Sequence, residues 1–331
     1  MRTGSRPQPE RFEHFTCPRA TICLEFNLPV SEQRTATIFS PAKINLFLAV
    51  TGRRSDGFHD LISVVAPLNF GDQLIALVGG AERTGPSQFS LECDDPDVPA
   101  DGSNLVLKAA NAFVAATGWG EPVAFRLEKS IPVGAGLGGG SSNATSALLA
   151  LNQLSGARLD RAHLAAIAAA VGSDCPLFLE GGPVIMRGRG ERIERLPESA
   201  MQRLRGRTLL VFKPSFGVGT RWAYEQIAAG APRSYLPAAE AEGRLGAWIA
   251  GVAGAAELQF NNLEPVVFRK FLALPVLLER LRNRFGLAPA MSGSGSGCFA
   301  LLAPGAPIAE IVAAIRDAWG AGCFVTQAAI D

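Results

Sequence analysis

Eleven residues ask for a chemical explanation: Pro132, Val133, Gly134, Ala135, Gly136, Leu137, Gly138, Gly139, Gly140, Ser141 and Ser142 place five glycines in seven positions before two hydroxyls. Glycine reaches positive φ and lets another group approach the backbone, at an entropic cost on folding. If a helix begins where the run ends, its unpaired N–H groups and positive dipole end would suit a phosphate. A glycine-rich connection without a ligand is the plainer alternative. Two well-defined phosphate loops do not fit. Gly134-x-Gly136-x-x-Gly139 formally matches the dinucleotide pattern, with Asp160 downstream, but the residues before Asp160 read as helix and turn where that pattern needs a strand. A Walker A loop needs Lys-Ser or Lys-Thr after its last glycine, and here Ser141 follows directly.

Without a loop lysine, a phosphoryl-transfer site must find its positive charge and its base elsewhere in the chain. The candidates are Lys43, in SPAKINLF, and Asp174, in VGSDCPLF. Taken singly, they are an ordinary strand lysine and an ordinary turn carboxylate. A second glycine run, MSGSGSG at 291–297, could be a mere turn by itself. Three weak signals in one chain gain weight together.

The elements around them can be read from periodicity. TATIFSPAKINLFLAVTG, from Thr35, is rich in β-branched and large apolar residues and predicts a strand. A period of two puts Lys43, Asn45 and Phe47 on one face and Ile44, Leu46 and Leu48 on a core face. Asp56-Gly57 predicts a turn, LISVVAPLNF a second strand ended by Gly71-Asp72, and DQLIALVG and SQFSLECDD further short strands. Helices are expected from Ser103-Asn104 to Gly118, after the glycine loop, and from Asp160 to Gly172. Beyond Arg187 come strands at TLLVFKP and CFALLAP and helices at VGTRWAYEQIAAG, AEGRLGAWIAGV, FRKFLALPVLLERLRNRFG and IAEIVAAIRDAWG. The mixture predicts an α+β protein of two joined lobes, residues 35–186 and 187–331, preceded by an extension over 1–34.

Bulk properties restrict the partners. The 331 residues, 48% hydrophobic, can bury a sizeable core. With 31 basic and 30 acidic residues the formal charge is +1, which gives no general attraction to nucleic acid or anionic membrane. A small-molecule partner is expected. The six cysteines (Cys17, Cys23, Cys93, Cys175, Cys298 and Cys323) form no C-x-x-C pair and read as reduced thiols. No signal-peptide core stands in the first 40 residues, and a cytoplasmic protein, monomeric or weakly dimeric, is expected.

PAKINLFL at 41–48, PVGAGLGGGSSNA at 132–144 and SGSGSG at 292–297, in this order, resemble the three motifs of the GHMP kinase superfamily, the small-molecule kinases named for galactose, homoserine, mevalonate and phosphomevalonate. The likeness covers nearly everything from residue 36 to the C-terminus. It is closer still to the branch acting on cytidyl-methylerythritol, through PAKINLFLAVTGRRSDGFHDL, the triple glycine and VGSDCPLFLEGG. The resemblance implies a two-lobed fold, with a ribosomal protein S5 domain 2-like N-terminal lobe that binds ATP and a ferredoxin-like C-terminal lobe. It also implies transfer of the γ-phosphate of ATP, with Mg2+, to an alcohol in non-mevalonate isoprenoid biosynthesis. By the same resemblance Asp174 and Lys43 are catalytic, and Pro132 to Ser142 form the ATP loop. Asn45 would touch the polyol or the catalytic pair, His59 would bond the cytosine edge, and Phe58 and Tyr224 would sandwich its ring. Phe58 stands where that branch usually has tyrosine, which keeps the π face and loses a hydroxyl. No metal ligand is picked out by spacing, although Ser141 and Ser142 are within reach. Another small-alcohol kinase of the superfamily and a non-catalytic ligand sensor on the same fold are the competing readings.

Overall fold

The computed structural model describes residues 33–79 and 88–331; Cys17, Cys23 and residues 1–32 of the expected extension lie outside them. In chain order the elements are β1 (Arg34–Arg53), β2 (His59–Val78), β3 (Phe89–Cys93), α1 (Leu105–Thr117), β4 (Val123–Glu128), α2 (Gly139–Ser155), α3 (Arg161–Val171), a 3₁₀ turn (Cys175–Leu179), β5 (Val184–Gly188), β6 (Arg192–Arg195), α4 (Glu198–Gln202) and β7 (Thr208–Lys213). They continue with α5 (Thr220–Ala229), α6 (Ala238–Ile249), α7 (Ala255–Leu258), β8 (Phe260–Asn261), α8 (Glu264–Lys270), α9 (Ala273–Phe285), β9 (Ala290–Met291), β10 (Cys298–Leu301), α10 (Ile308–Trp319) and β11 (Phe324–Ala329).

A long antiparallel hairpin of β1 and β2 organises the first sheet, whose main order is β3-β4-β2-β1-β8, with β5 on β2 and β6 on β5. β5, which runs across the expected lobe border at 186/187, and β6 beyond it both belong to this sheet. β8 arrives from the second half of the chain to pair in parallel with Phe47 and Leu48 of β1. The second sheet, β11-β7-β10-β9, is antiparallel throughout.

Two expectations about the hairpin are corrected. Gly71-Asp72 does not end β2, which runs through to Val78. A Cβ at Gly71 would lie 2.2 Å from the Ser40 carbonyl oxygen, so this glycine serves a close strand crossing and not a turn. The faces of β1 also differ from simple alternation. A register shift between Asn45 and Phe47 puts Phe47 in the same core as Ala42, Ile44 and Leu46, and moves Leu48 and Val50 into the core of the second sheet. An extra residue on one strand reverses the alternation beyond it. Lys43 and Asn45 are thus the polar positions of a strand that is covered on both faces, not of an open one.

The helices form where caps and apolar spacing predict them. Asn104 and Asp160 cap α1 and α3 by accepting from the N–H groups of Val106 and His163, and Gly118 and Gly156 end α1 and α2 in the left-handed region. These three helices cover one face of the first sheet, with Phe113, Leu148 and Leu151 against Phe125 and Leu127. The single helix expected at 268–285 is two. The chain breaks at Phe271 (φ −107°, ψ 68°), because Pro275 has no N–H to donate to the carbonyl four residues before it; the Phe271 ring stacks on Phe216 (5.4 Å) and meets Trp222 edge-on (5.5 Å).

Candidate active site

The glycine loop is held open by its alternate residues. Ala135 and Leu137 are buried in the core below, and Lys43 N–H donates to Leu137 O at 2.9 Å, so the loop lies along β1. A Cβ at Gly136 would sit 2.4 Å from Ser292 O, which explains the glycine there. Above it the second glycine run closes in. Gly297 N–H donates to Ala135 O (2.9 Å), and Ser292 Oγ donates to Gly136 O (3.1 Å) while accepting from Asn45 N–H (3.2 Å).

At the end of the loop, α2 begins at Gly139 with Gly138 at φ 75° and no side-chain cap, in contrast to α1 and α3. The N–H groups of its first turn remain available to an anion. Ser142 Oγ is buried there without a hydrogen-bond partner among the described residues. An unpaired buried hydroxyl is costly, about 1–3 kcal/mol, and this one suits a phosphate oxygen or a metal carried by it.

Lys43 is 5% exposed and its ammonium donates to Asn45 Oδ1 (2.6 Å) and Gly136 O (2.8 Å). Burial pulls its pKa below the ordinary lysine value, and the negative charge of nearby Asp174 opposes that shift. Asn45 is fixed in turn by Ser63 Oγ, which accepts from Nδ2 (2.9 Å) and donates to Phe47 O (2.6 Å). Half-buried Asp174 stands at the entry of the 3₁₀ turn, and its carboxylate accepts no hydrogen bond among the described residues. Thr145 of α2 ties this turn to the loop by donating to Cys175 O at 2.7 Å. Lys43, Asn45, Asp174 and the loop therefore converge, and Ser63 and Ser292 join them. Ser292 lies within a run visible in the sequence; nothing local marks Ser63.

The second group of expected residues lies near the hairpin turn. His59 packs against Tyr224 (5.2 Å between ring centroids) and, edge-on, against Tyr235 (6.0 Å), a residue that sequence reasoning missed. His59 Nε2 and Tyr235 Oη are both buried without hydrogen-bond partners among the described residues. Burial, aided by the charge of Arg53, lowers the His59 pKa, while burial and Asp174 raise that of Tyr224. Phe58 is 54% exposed, with the Arg189 guanidinium 5.2 Å from its ring centre. The aromatic partner of Tyr224 in this structure is His59; Phe58 makes no ring–ring contact among the described residues.

The description "GHMP kinases N terminal domain" matches residues 104–182, and "GHMP kinases C terminal" matches 237–321. The 4-diphosphocytidyl-2-C-methyl-D-erythritol kinase of Synechococcus sp. (strain CC9902) is 39% identical over 274 residues, 80% of this chain and 87% of that protein. A crystal structure of 4-(cytidine 5'-diphospho)-2C-methyl-D-erythritol kinase is 34% identical, with a TM-score of 0.68 over 89% of this chain and 100% of that one. Homoserine kinase from Cytophaga hutchinsonii ATCC 33406 reaches the same TM-score at 19% identity and so shares the fold alone. The chain belongs to the GHMP kinases, and within them to the 4-diphosphocytidyl-2-C-methyl-D-erythritol kinase family. It is accordingly a phosphotransferase that uses ATP and acts on an alcohol group.

Proposed function

We propose that the protein transfers the γ-phosphate of ATP to the tertiary 2-hydroxyl of 4-diphosphocytidyl-2-C-methyl-D-erythritol, giving the 2-phosphate and ADP. The observation that carries this reading is the position of the Lys43 ammonium, bonded to Asn45 and to Gly136 of the loop and within the field of Asp174. Asp174 accepts the hydroxyl proton as the oxygen–phosphorus bond forms and the bond from the γ-phosphorus to the bridging oxygen of ADP breaks. Among the described residues its carboxylate accepts no hydrogen bond, so it can take that proton. Lys43 offsets the negative charge of Asp174 and stabilises charge on the transferring group. Residues 132–142 receive the phosphates on backbone N–H groups and on Ser142 Oγ.

Mg2+ fits as an ion carried by the nucleotide. Among the described residues no cluster of three His, Cys, Asp or Glu side chains could hold a metal, whereas Ser141 and Ser142 could complete the shell of an ion already on the phosphates. It would neutralise phosphate charge. Residues 35–186 would carry the nucleotide and 187–331 would close the site with the second glycine run. Phe58, His59 and Tyr224 would take the cytosine. A cytoplasmic monomer or weak dimer completes the reading; among the described residues no helix is long and apolar enough to cross a membrane.

ADP release from ATP with magnesium, assayed against cytidyl-methylerythritol, mevalonate, homoserine and galactose, tests the assignment. Turnover of the cytidyl substrate alone is expected. Turnover of mevalonate or homoserine in its place would overturn it, and no turnover with any alcohol would favour a sensor.

A further inference from the structure

Asp72 is a fully buried carboxylate that the chemistry above does not use. Its Oδ1 accepts the N–H groups of Ser130 and Ile131, both at 2.7 Å. Its Oδ2 accepts Asn143 Nδ2 at 2.9 Å and forms an ion pair with the buried Lys129 ammonium, which also donates to Asn143 Oδ1 at 3.4 Å. Ser130 and Ile131 lead directly into Pro132, where the glycine loop begins, and Asn143 is the fifth residue of α2, where the loop ends. One carboxylate therefore grips both ends of the loop. Asp72 also pairs in register with Ser40 of β1, whose hydroxyl donates to Ser146 Oγ of α2 (2.7 Å), so Lys43's own strand is fastened to the same helix.

Net stability is a poor explanation for such a pair. Burying two charges costs solvation that their attraction only partly offsets, and apolar replacements are often as stable. Geometry is a better one. Loop glycines have wide conformational freedom, so the loop cannot fix its own shape, while a misplacement of about 1 Å can cost on the order of 10²-fold in rate. We propose that Asp72 is a positioning residue for phosphate binding, setting the separation between the start of the glycine loop and the first turn of α2. The proposal rests on residues 132–142 being the phosphate cradle.

Kinetics of Asp72→Ala, Asp72→Asn and Asn143→Ala, together with their melting temperatures, test it. Asp72→Ala should raise KM for ATP about tenfold or more and leave KM for the alcohol within about twofold, since only the nucleotide side of the cleft loses its frame. Asp72→Asn keeps an oxygen for Ser130 and Ile131 but loses the ion pair, and should recover part of the loss. Asn143→Ala frees only the helix end and should also raise KM for ATP selectively. If Asp72→Ala does not fold, the other two variants decide. Folded Asp72→Asn and Asn143→Ala proteins with unchanged KM for ATP would sink the proposal, and so would equal rises in both KM values. ATP titration of the wild type separates the two layers: binding without any effect of the variants removes only the role of Asp72, whereas no binding removes the cradle as well.

Discussion

The two ends of the site are built differently. Around Lys43 the orienting groups are bonded to one another, Asn45, Ser63, Ser292 and the loop carbonyls forming one continuous set of hydrogen bonds, while the Asp174 carboxylate and Ser142 Oγ are left for the reactants. Around His59 the polar atoms are unpaired, with His59 Nε2 and Tyr235 Oη buried and unbonded and Phe58 largely open. The contrast matches two tasks. A reacting centre gains from groups that are already oriented, because no reorganisation is needed as charge develops. A recognition pocket gains from groups that only the right ligand can satisfy, because a ligand lacking the partner atom leaves them unpaired. Substitutions of the groups that meet the reacting atoms should therefore act on turnover, and those at the second end on KM for the cytidyl substrate.

The largest effect is expected at Asp174. Asp174→Asn keeps size and polarity but removes the proton acceptor, and general-base catalysis is worth about 10²- to 10⁴-fold. Single-turnover kinetics should show a loss of that order in kcat, with ATP binding by titration nearly unchanged. A variant with near wild-type turnover would mean that Asp174 is not the base.

Phe58→Ala comes next and belongs to the other end. Stacking on an aromatic face contributes about 1–3 kcal/mol per base, which corresponds to a rise of about 5- to 150-fold in KM for the cytidyl substrate with little change in kcat. Phe58→Tyr should fall close to the wild type. An unchanged KM in Phe58→Ala would leave the base on Tyr224 alone.

Tyr235→Phe sharpens the contrast, because its two effects point in opposite directions. Removal of a buried hydroxyl that has no partner should leave the melting temperature of the free protein level or raised. If the same hydroxyl meets the bound substrate, KM for that substrate rises by about 2- to 12-fold, the range of one hydrogen bond of 0.5–1.5 kcal/mol. A fall in melting temperature with no change in KM would assign Tyr235 to packing only.

The same division explains what could be read from sequence. Lys43, the glycine loop and Asp174 announce themselves because each has a local chemical meaning: a charge on a strand, a run of flexible backbone, a carboxylate after a helix stop. The helix ends at Asn104, Gly118, Gly156 and Asp160 were legible for the same reason. Ser63, Tyr235 and Asp72 become functional candidates only through contacts between residues 16 to 71 positions apart or through rings brought together from separate elements. Strand register was equally hidden. Alternation assigned Phe47 and Leu48 to the wrong faces because the bulge after Asn45 depends on pairing with β2, and Gly71 read as a stop because the strand crossing it permits lies 31 residues away in the chain.

The smallest effect is a pH dependence, and it tests whether the open end reads the base with a neutral imidazole. Burial and the charge of Arg53 hold the His59 pKa below its ordinary 6.5. As pH falls through 6.5 the unfolded chain takes up the proton first, so this group's contribution to stability is present above 6.5 and is lost toward the lower folded value. Above that value the ring is neutral, with one nitrogen donating and the other accepting; below it both donate. KM for the cytidyl substrate should therefore be level from neutral pH down to about 6.5 and change only at more acidic pH, while KM for ATP, read at the other end, follows no such inflection. His59→Gln should remove the inflection, since an amide does not titrate in this range. An inflection that survived in His59→Gln, or that appeared equally in KM for ATP, would show that the proton acts elsewhere and that the two ends are not separable in this way.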